Sequence, residues 1–198
     1  MRIDRLFALA LALAFAAPAF GDEDGAEPAP VKPSVYKPFT SARETFACDL
    51  PSKGWAVIEE EAPSGSDAHA LGPAEEDGRW RAALHVHFMD KNQPGFVPMD
   101  DAVKRERRSD PTAARGAGAV RRFWVAHRSA RVFEVEETRL LPPDRLPATP
   151  SVLHHYYAFV PAGDGYFIIK LSTARETFVD YRGTFEQVLR TFRVLGAS

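Results

Sequence analysis

The chain has 198 residues, 45% of them hydrophobic and 11% aromatic, with 25 basic and 27 acidic side chains and a net charge of −2. That length fits one domain plus a tail, and the composition supplies an ordinary core, which excludes a chain disordered throughout. A single cysteine excludes an internal disulfide, so stability has to come from packing.

Met1 to Arg5 carries two arginines, Leu6 to Ala17 is unbroken apolar, and small residues follow at Ala17, Ala19 and Gly21. This is the pattern of a secretory signal peptide over residues 1–21, cleaved near Ala19 or Gly21. Twelve apolar residues make a helix of about 18 Å, against a hydrocarbon core of about 30 Å, so the mature chain is expected to be secreted or periplasmic without a transmembrane span. No cysteine stands at the cleavage site, and Cys48 lies too far downstream to carry a lipid anchor. Residues 22–38 are acidic, contain four prolines and have few bulky apolar side chains, and are expected to form a flexible leader. One domain is expected over residues 39–198, with the fold starting near Phe39.

Short apolar runs at Glu44 to Asp49 and Trp55 to Glu60 flank Pro51-Ser52-Lys53-Gly54, a turn composition that predicts a hairpin. Residues 62–78 read as a polar loop with a short strand around His69 to Leu71. Next comes a clear alternation: Trp80, Ala82, Leu84, Val86 and Phe88 share one face, while Arg81, Ala83, His85 and His87 share the other. Met99 to Ser109 reads as a short helix with Asp100 and Asp101 in its first turn and Arg107 and Arg108 in its last, as the helix dipole favours.

Strands are expected at Val120 to Arg128 and Arg131 to Leu140, followed by a proline-rich connection. Val152 to Pro161 and Tyr166 to Ser172 are aromatic and β-branched, and Ala162-Gly163-Asp164-Gly165 between them predicts an antiparallel hairpin. Phe178, Tyr181, Phe185, Val188, Leu189 and Phe192 form one apolar stripe at a period near 3.6, hence a final helix. Thr173 and Glu176 are spaced as a capping box for its start. The fold class is therefore α+β, an antiparallel β-sheet packed by helices in an α/β/α sandwich.

The opening FTSARETFACDLPSKGWAV, the strand RWRAALHVHFM before a helix opened by MDDAV, and the closing GYFIIKLSTARETFVDYRGTFEQVLRTFRV resemble the Mog/PsbP-like superfamily. The resemblance spans about residues 39 to 195. It implies a binding or assembly module of that fold and carries over no active site.

His85 and His87 form an H-x-H pair whose imidazoles project from the same face of a strand, a spacing that chelates Zn²⁺ or Cu²⁺ when a further ligand joins. His154, His155, Asp90 and His69 are the candidates for that ligand. Read more simply, the pair is the polar outer side of a half-buried sheet. Cys48, between Phe46 and Leu50, reads as a small buried hydrophobe. Glu59 to Glu61 and Glu134, Glu136 and Glu137 are the carboxylates a glycosidase would need in facing pairs, but acids alternating along strands form a wet face. No G-x-S-x-G, H-E-x-x-H or phosphate-binding glycine loop is present.

Nine basic side chains against two acids lie between Lys104 and Arg131. Lys104, Arg105, Arg107, Arg108, Arg121 and Arg122 are the candidate partner-binding residues, with Phe123 and Trp124 interleaved. In an exported chain this composition points to an envelope protein or an anionic envelope component rather than to nucleic acid. Arginines along a strand also discourage unwanted pairing. The expectation is an exported, non-enzymatic binding or assembly module of the cell envelope, without catalytic residues or cofactor. The alternative is a periplasmic metal-binding protein using His85 and His87.

Overall fold

The computed structural model describes residues 35–196 apart from 75–77, 79 and 143–145, so the signal segment and the leader up to residue 34 lie outside it. A small sheet joins β1 (Tyr36–Thr40), β2 (Phe46–Pro51) and β11 (Arg193–Val194) in the order β1-β2-β11. The large sheet contains β3 (Ala56–Ala62), β4 (Gly65–Ala74), β5 (Arg81–Asp90), β6 (Gly116–Ala117), β7 (Arg121–Val125), β8 (Arg128–Leu141), β9 (Thr149–Ala162) and β10 (Gly165–Ala174). Its order is β3-β4-β5-β10-β9-β8-β6, with β7 also on β8, and all its pairings are antiparallel. The helices are α1 (Met99–Glu106) and α2 (Phe178–Thr191). The α+β sandwich expected from the patterning is the observed architecture. Among the described residues no helix is long and apolar enough to cross a membrane.

Two cores lie on opposite faces of the large sheet. On one, Leu84, Val86, Tyr156, Ala158, Phe167, Ile169 and Leu171 meet Tyr181, Phe185, Val188 and Leu189 of α2 together with Phe46, Cys48 and Leu50 of the small sheet. Phe192 closes this core: its ring stacks on Phe46 at 5.5 Å and meets Phe167 edge-on at 5.2 Å, joining helix end, small sheet and large sheet. On the other face Met89, Phe133, Tyr157, Phe159, Tyr166 and Ile168 receive Ala102 and Val103 of α1. The apolar stripe from Phe178 to Phe192 faces the sheet as its spacing predicts.

The β9–β10 hairpin turns through Gly163 and Asp164, with Ala162 opposite Gly165. Gly165 (φ +151°) and Gly65 (φ +153°) each lie against the end of β5, where an added Cβ would come within 2 Å of the Met89 or Phe88 carbonyl oxygen, at 1.9 and 1.7 Å. Only glycine fits there.

Five expectations need correction. First, β2 and β3 do not pair; the turn around Gly54 carries the chain from the small sheet to the large one. Second, most of the polar loop is strand, because β4 runs ten residues and pairs on both sides. Third, the capping box is absent: Thr173 belongs to β10 opposite His154, and the Arg175 N–H donates to the Val152 carbonyl, so sheet pairing holds this segment until α2 starts at Phe178. Fourth, β1 begins at Tyr36, ahead of Phe39, because its ladder to β2 runs from Tyr36 opposite Pro51. The turn between β7 and β8 is also earlier than the pattern suggests, at Ala126 and His127, both with positive φ. Neither residue carries a turn signature.

Phe185→Ala, which empties a site that is 2% exposed, is expected to lower unfolding free energy by about 3–5 kcal/mol in urea denaturation. Val179→Ala, on the open face of the same helix, should change it by less than about 0.5 kcal/mol. Equal effects would mean that α2 does not present this face to the core.

Candidate functional site

The face of the large sheet that carries α1 is covered unevenly. Under α1, out to Met89 at the end of β5, it is apolar; across β3, β4 and the middle of β5 it is polar. Register places His69 opposite His85, Asp67 opposite His87, and Glu60 opposite Asp67, so alternation brings all five side chains to that face. His69 and His85 stack with ring centroids 4.3 Å apart and planes 5° from parallel. The Asp67 carboxylate accepts from His85 Nε2 at 2.5 Å and from His87 Nδ1 at 2.6 Å, while His69 Nε2 lies 3.1 Å from Glu60. Ser64 Oγ donates to the remaining His87 nitrogen at 3.0 Å.

Burial opposes ionisation of Asp67, but the hydrogen bonds from His85 and His87 outweigh it and hold the carboxyl well below the usual carboxylate range. Burial first, then the charge of His85, lowers His69, against the pull of Asp67 and Glu60. Ligand atoms of Asp67, His69 and His85 all lie within 4.8 Å of one another.

The expected pair is thus on one face, with ring centroids 6.1 Å apart, but its two members differ in role. Both nitrogens of His87 are engaged, whereas His85 stands with His69. His154 and His155 lie on β9, separated from β5 by β10, and Asp90 turns back to cap the Asn92 N–H. Asp67 was missed because its segment reads as a loop. The spacing Asp67-x-His69, mirrored by His85-x-His87, was the signal that could have found it.

A second polar group marks the boundary of the part covered by α1. Glu137, 4% exposed, accepts from Arg139 Nε at 2.6 Å, from His155 Nε2 at 3.3 Å and from Arg115 Nη1. The other Arg115 amine donates to the Glu106 carbonyl at 2.7 Å, and the Tyr157 hydroxyl donates to the Glu106 carboxylate at 3.2 Å. Lys170 Nζ lies 5.2 Å from the Tyr157 ring centroid. The reading of Glu134, Glu136 and Glu137 as a uniform wet face is therefore corrected. Glu137 is an interior ion-pair centre, while Glu134 and Glu136 face His154 on the other side of the sheet at 3.2 and 3.3 Å.

The His155 bond and, against burial, the Arg115 bond hold Glu137 well below the usual carboxylate range. Burial pushes the His155 imidazole down to about 4 despite Glu137, with Lys170 adding to the shift.

The basic stretch does not form one patch. Lys104 pairs with Asp101, Arg105 with Glu106, Arg121 with Glu134 and Arg131 with Asp100. Arg107 donates to the Gly118 carbonyl and lies over the Phe133 ring. Arg121 and Arg122 project to opposite faces of β7. Arg108, Arg122 and Arg128 make no ion pair among the described residues. Among the described residues β7 pairs with β8 alone, leaving its other edge without a ladder, and it exposes Phe123 (49%) and Trp124 (73%). Cys48 is buried, and burial followed by the Asp49 charge pushes its thiol up to about 12, which keeps it protonated and unreactive.

No family model matches the chain, and no curated protein matches it. Its structure is similar to several solved ones. Cyanobacterial PsbP (CyanoP) from Synechocystis sp. PCC 6803 is 12% identical with a TM-score of 0.48, over 80% of this chain and 92% of that one. PA94 of Pseudomonas aeruginosa, a protein of unknown function, is 13% identical with a TM-score of 0.45, over 79% and 94%. The Ran-binding protein Mog1p of Saccharomyces cerevisiae is 8% identical with a TM-score of 0.47, over 81% and 95%. Likeness of this degree concerns the fold, and no function is taken from it.

An unfolded imidazole takes its proton near pH 6.5, but folded His155 does so only near 4, so between these values the unfolded chain binds more protons. The stability contribution is complete above the upper value and is lost as pH falls toward the lower one. Glu137, depressed in the folded state, acts in the same sense at still lower pH. Urea titrations should show the His155 share, about 3 kcal/mol at most between pH 6.5 and 4. His155→Gln should flatten the slope by that amount; an unchanged slope would assign the dependence to other groups.

Proposed function

We propose that this chain is an exported, non-enzymatic binding or assembly module of the cell envelope, and that it docks an extended acidic segment of a partner protein along β7. The observation that carries the reading is the open edge of β7, with Trp124 standing 73% exposed on it. A strand edge is a row of unpaired N–H and C=O groups, and another polypeptide satisfies that row by adding a strand. A lipid headgroup would meet the arginines but leave the backbone row unmet. Side chains of an added strand alternate between the faces, reaching Arg122 on one face and, on the other, the side on which Arg128 stands one strand further in at the start of β8, both without ion pairs among the described residues. Charge complementarity therefore favours acids at alternate positions. Edge arginines alone would serve to prevent pairing, but an exposed tryptophan beside them adds apolar area that such protection does not need.

Among the described residues, the carboxylates considered for hydrolysis are engaged with cations or N–H groups: Glu59 accepts the Ala42 N–H, and Glu60, Glu134 and Glu136 face histidines. The sequence of residues 1–21 supports export.

A photo-crosslinker placed at position 124 of the native chain should give a discrete protein adduct in the host envelope, and one at position 179 should not. Arg122→Glu with Arg128→Glu should reduce that adduct at least about tenfold, since each buried or shielded charge contact at an interface weighs on the order of 1 kcal/mol or more. Equal labelling from both positions would overturn the docking surface. So would Trp124-independent co-sedimentation with vesicles of anionic lipid, which would assign the arginines to a membrane. The intact mass of the protein recovered from the host should place its N-terminus at Phe20 or Asp22; recovery with Met1 to Gly21 retained in the cytoplasm would overturn export.

A further inference from the structure

We infer that Asp67, His69 and His85 form a binding site for one borderline divalent cation of the Zn²⁺ and Cu²⁺ class, with His87 positioning Asp67. This site goes beyond the docking surface on β7 and stands independently of it.

The donors come from two adjacent strands whose register sets them side by side, His69 directly opposite His85 and Asp67 directly opposite His87. Their ligand atoms lie within 4.8 Å of one another. A cation bound at about 2.0–2.2 Å to each donor in tetrahedral geometry needs donors about 3.3–3.5 Å apart, so side-chain rotation of about an ångström assembles the set without moving a strand. Sites held on strands keep their geometry better than sites on loops.

The donor chemistry selects the cation. Two imidazole nitrogens and a carboxylate, without a thiolate, suit Zn²⁺, Cu²⁺ or Ni²⁺ rather than Ca²⁺, Mg²⁺ or Cu⁺. Glu60, bonded to His69 Nε2 and 62% exposed, supplies a second carboxylate beside the site. The two carboxylates place negative charge where the cation would sit. Access is open, since the His69 and His85 side chains are each about one-third exposed, at 31% and 30%.

His87 differs from its neighbours. Its side chain is 9% exposed, its Nδ1 bonds Asp67 and its Nε2 bonds Ser64. With both nitrogens occupied it orients the carboxylate and leaves the ligation to others, the arrangement in which an outer partner fixes a metal ligand. His85 Nε2 and His69 Nε2 now donate to carboxylates. Ligation needs a lone pair at each Nε2, so a proton held there passes to Nδ1 of the same ring or to solvent as the cation binds.

Equilibrium dialysis of the chelator-stripped chain against ZnCl₂ and, separately, CuCl₂, with metal content read by mass spectrometry, tests the site. One cation per chain is expected, and MgCl₂ should leave none bound. His69→Ala and His85→Ala should each weaken binding more than about 100-fold, and His87→Gln about 10–100-fold through loss of orientation. Asp67→Asn, nearly the same shape, checks the ligand role if an alanine variant unfolds, and far-UV circular dichroism reports folding for each. Nitrogen-15 shifts of the His69 and His85 Nε2 atoms should move on Zn²⁺ addition. Binding that survives His69→Ala but is abolished by His87→Gln would restore the H-x-H pair in its place, and absence of stoichiometric Zn²⁺ or Cu²⁺ would overturn the site.

Discussion

The structure depends on covering both faces of one sheet. β9 and β10 are buried along most of their length, so neither face at the centre of the large sheet can be left to water. One face receives α2, about 21 Å long at fourteen residues, together with the small sheet, and the six apolar side chains from Phe178 to Phe192 answer it. The other face receives only α1, whose eight residues span about 12 Å, against a sheet roughly 30 Å wide at a strand spacing of about 4.8 Å. That helix shelters β8, β9, β10 and the Met89 end of β5, and does not reach β3, β4 or the rest of β5. The mismatch divides the face into an apolar part and a polar part, and the candidate cation ligands occupy the polar part, which no helix covers among the described residues.

At the end of α1, on β8 and β9, buried charge is tolerated because each group finds a partner. Glu137 takes hydrogen bonds from Arg115, Arg139 and His155, and Arg115 reaches on to the Glu106 carbonyl near the end of α1. An unpaired carboxylate at 4% exposure would carry a desolvation cost of several kcal/mol. The same contacts tie the end of α1 to β8 and so help to set how far the helix can shelter the sheet. In this way the ion-pair network fastens the end of the helix whose short length leaves the polar part of the face open.

Strong periodicities were legible. The alternation from Trp80 to Phe88, the Gly163-Asp164 turn and the Phe178 to Phe192 stripe each report a local geometry that the core then uses. The errors occurred where a local signal competed with a long-range pairing. Thr173 and Glu176 have capping-box spacing, yet the β9 ladder holds Thr173 in a strand, because a chain of sheet hydrogen bonds outweighs a single cap. Pro51 to Gly54 makes a turn, but which strands it joins depends on partners more than a hundred residues away, as β11 is for β2. β4 is rich in glycine, alanine and polar side chains and has little strand propensity of its own; pairing on both sides makes it a strand.

By itself, then, the sequence determined the α+β class, the amphipathic closing helix, the hairpin before it, the shared face of His85 and His87, and a composition lacking disulfides and the common catalytic motifs. These follow from residue types at short spacings, where backbone periodicity translates directly into faces. Tertiary structure alone decided that Asp67 and His69 join His85, that His87 is held behind them, that Glu137 is interior, and that β7 remains an open edge. Each of those facts depends on which strand lies beside which and how much of a face one short helix can cover, and neither quantity is encoded within any local window of the chain.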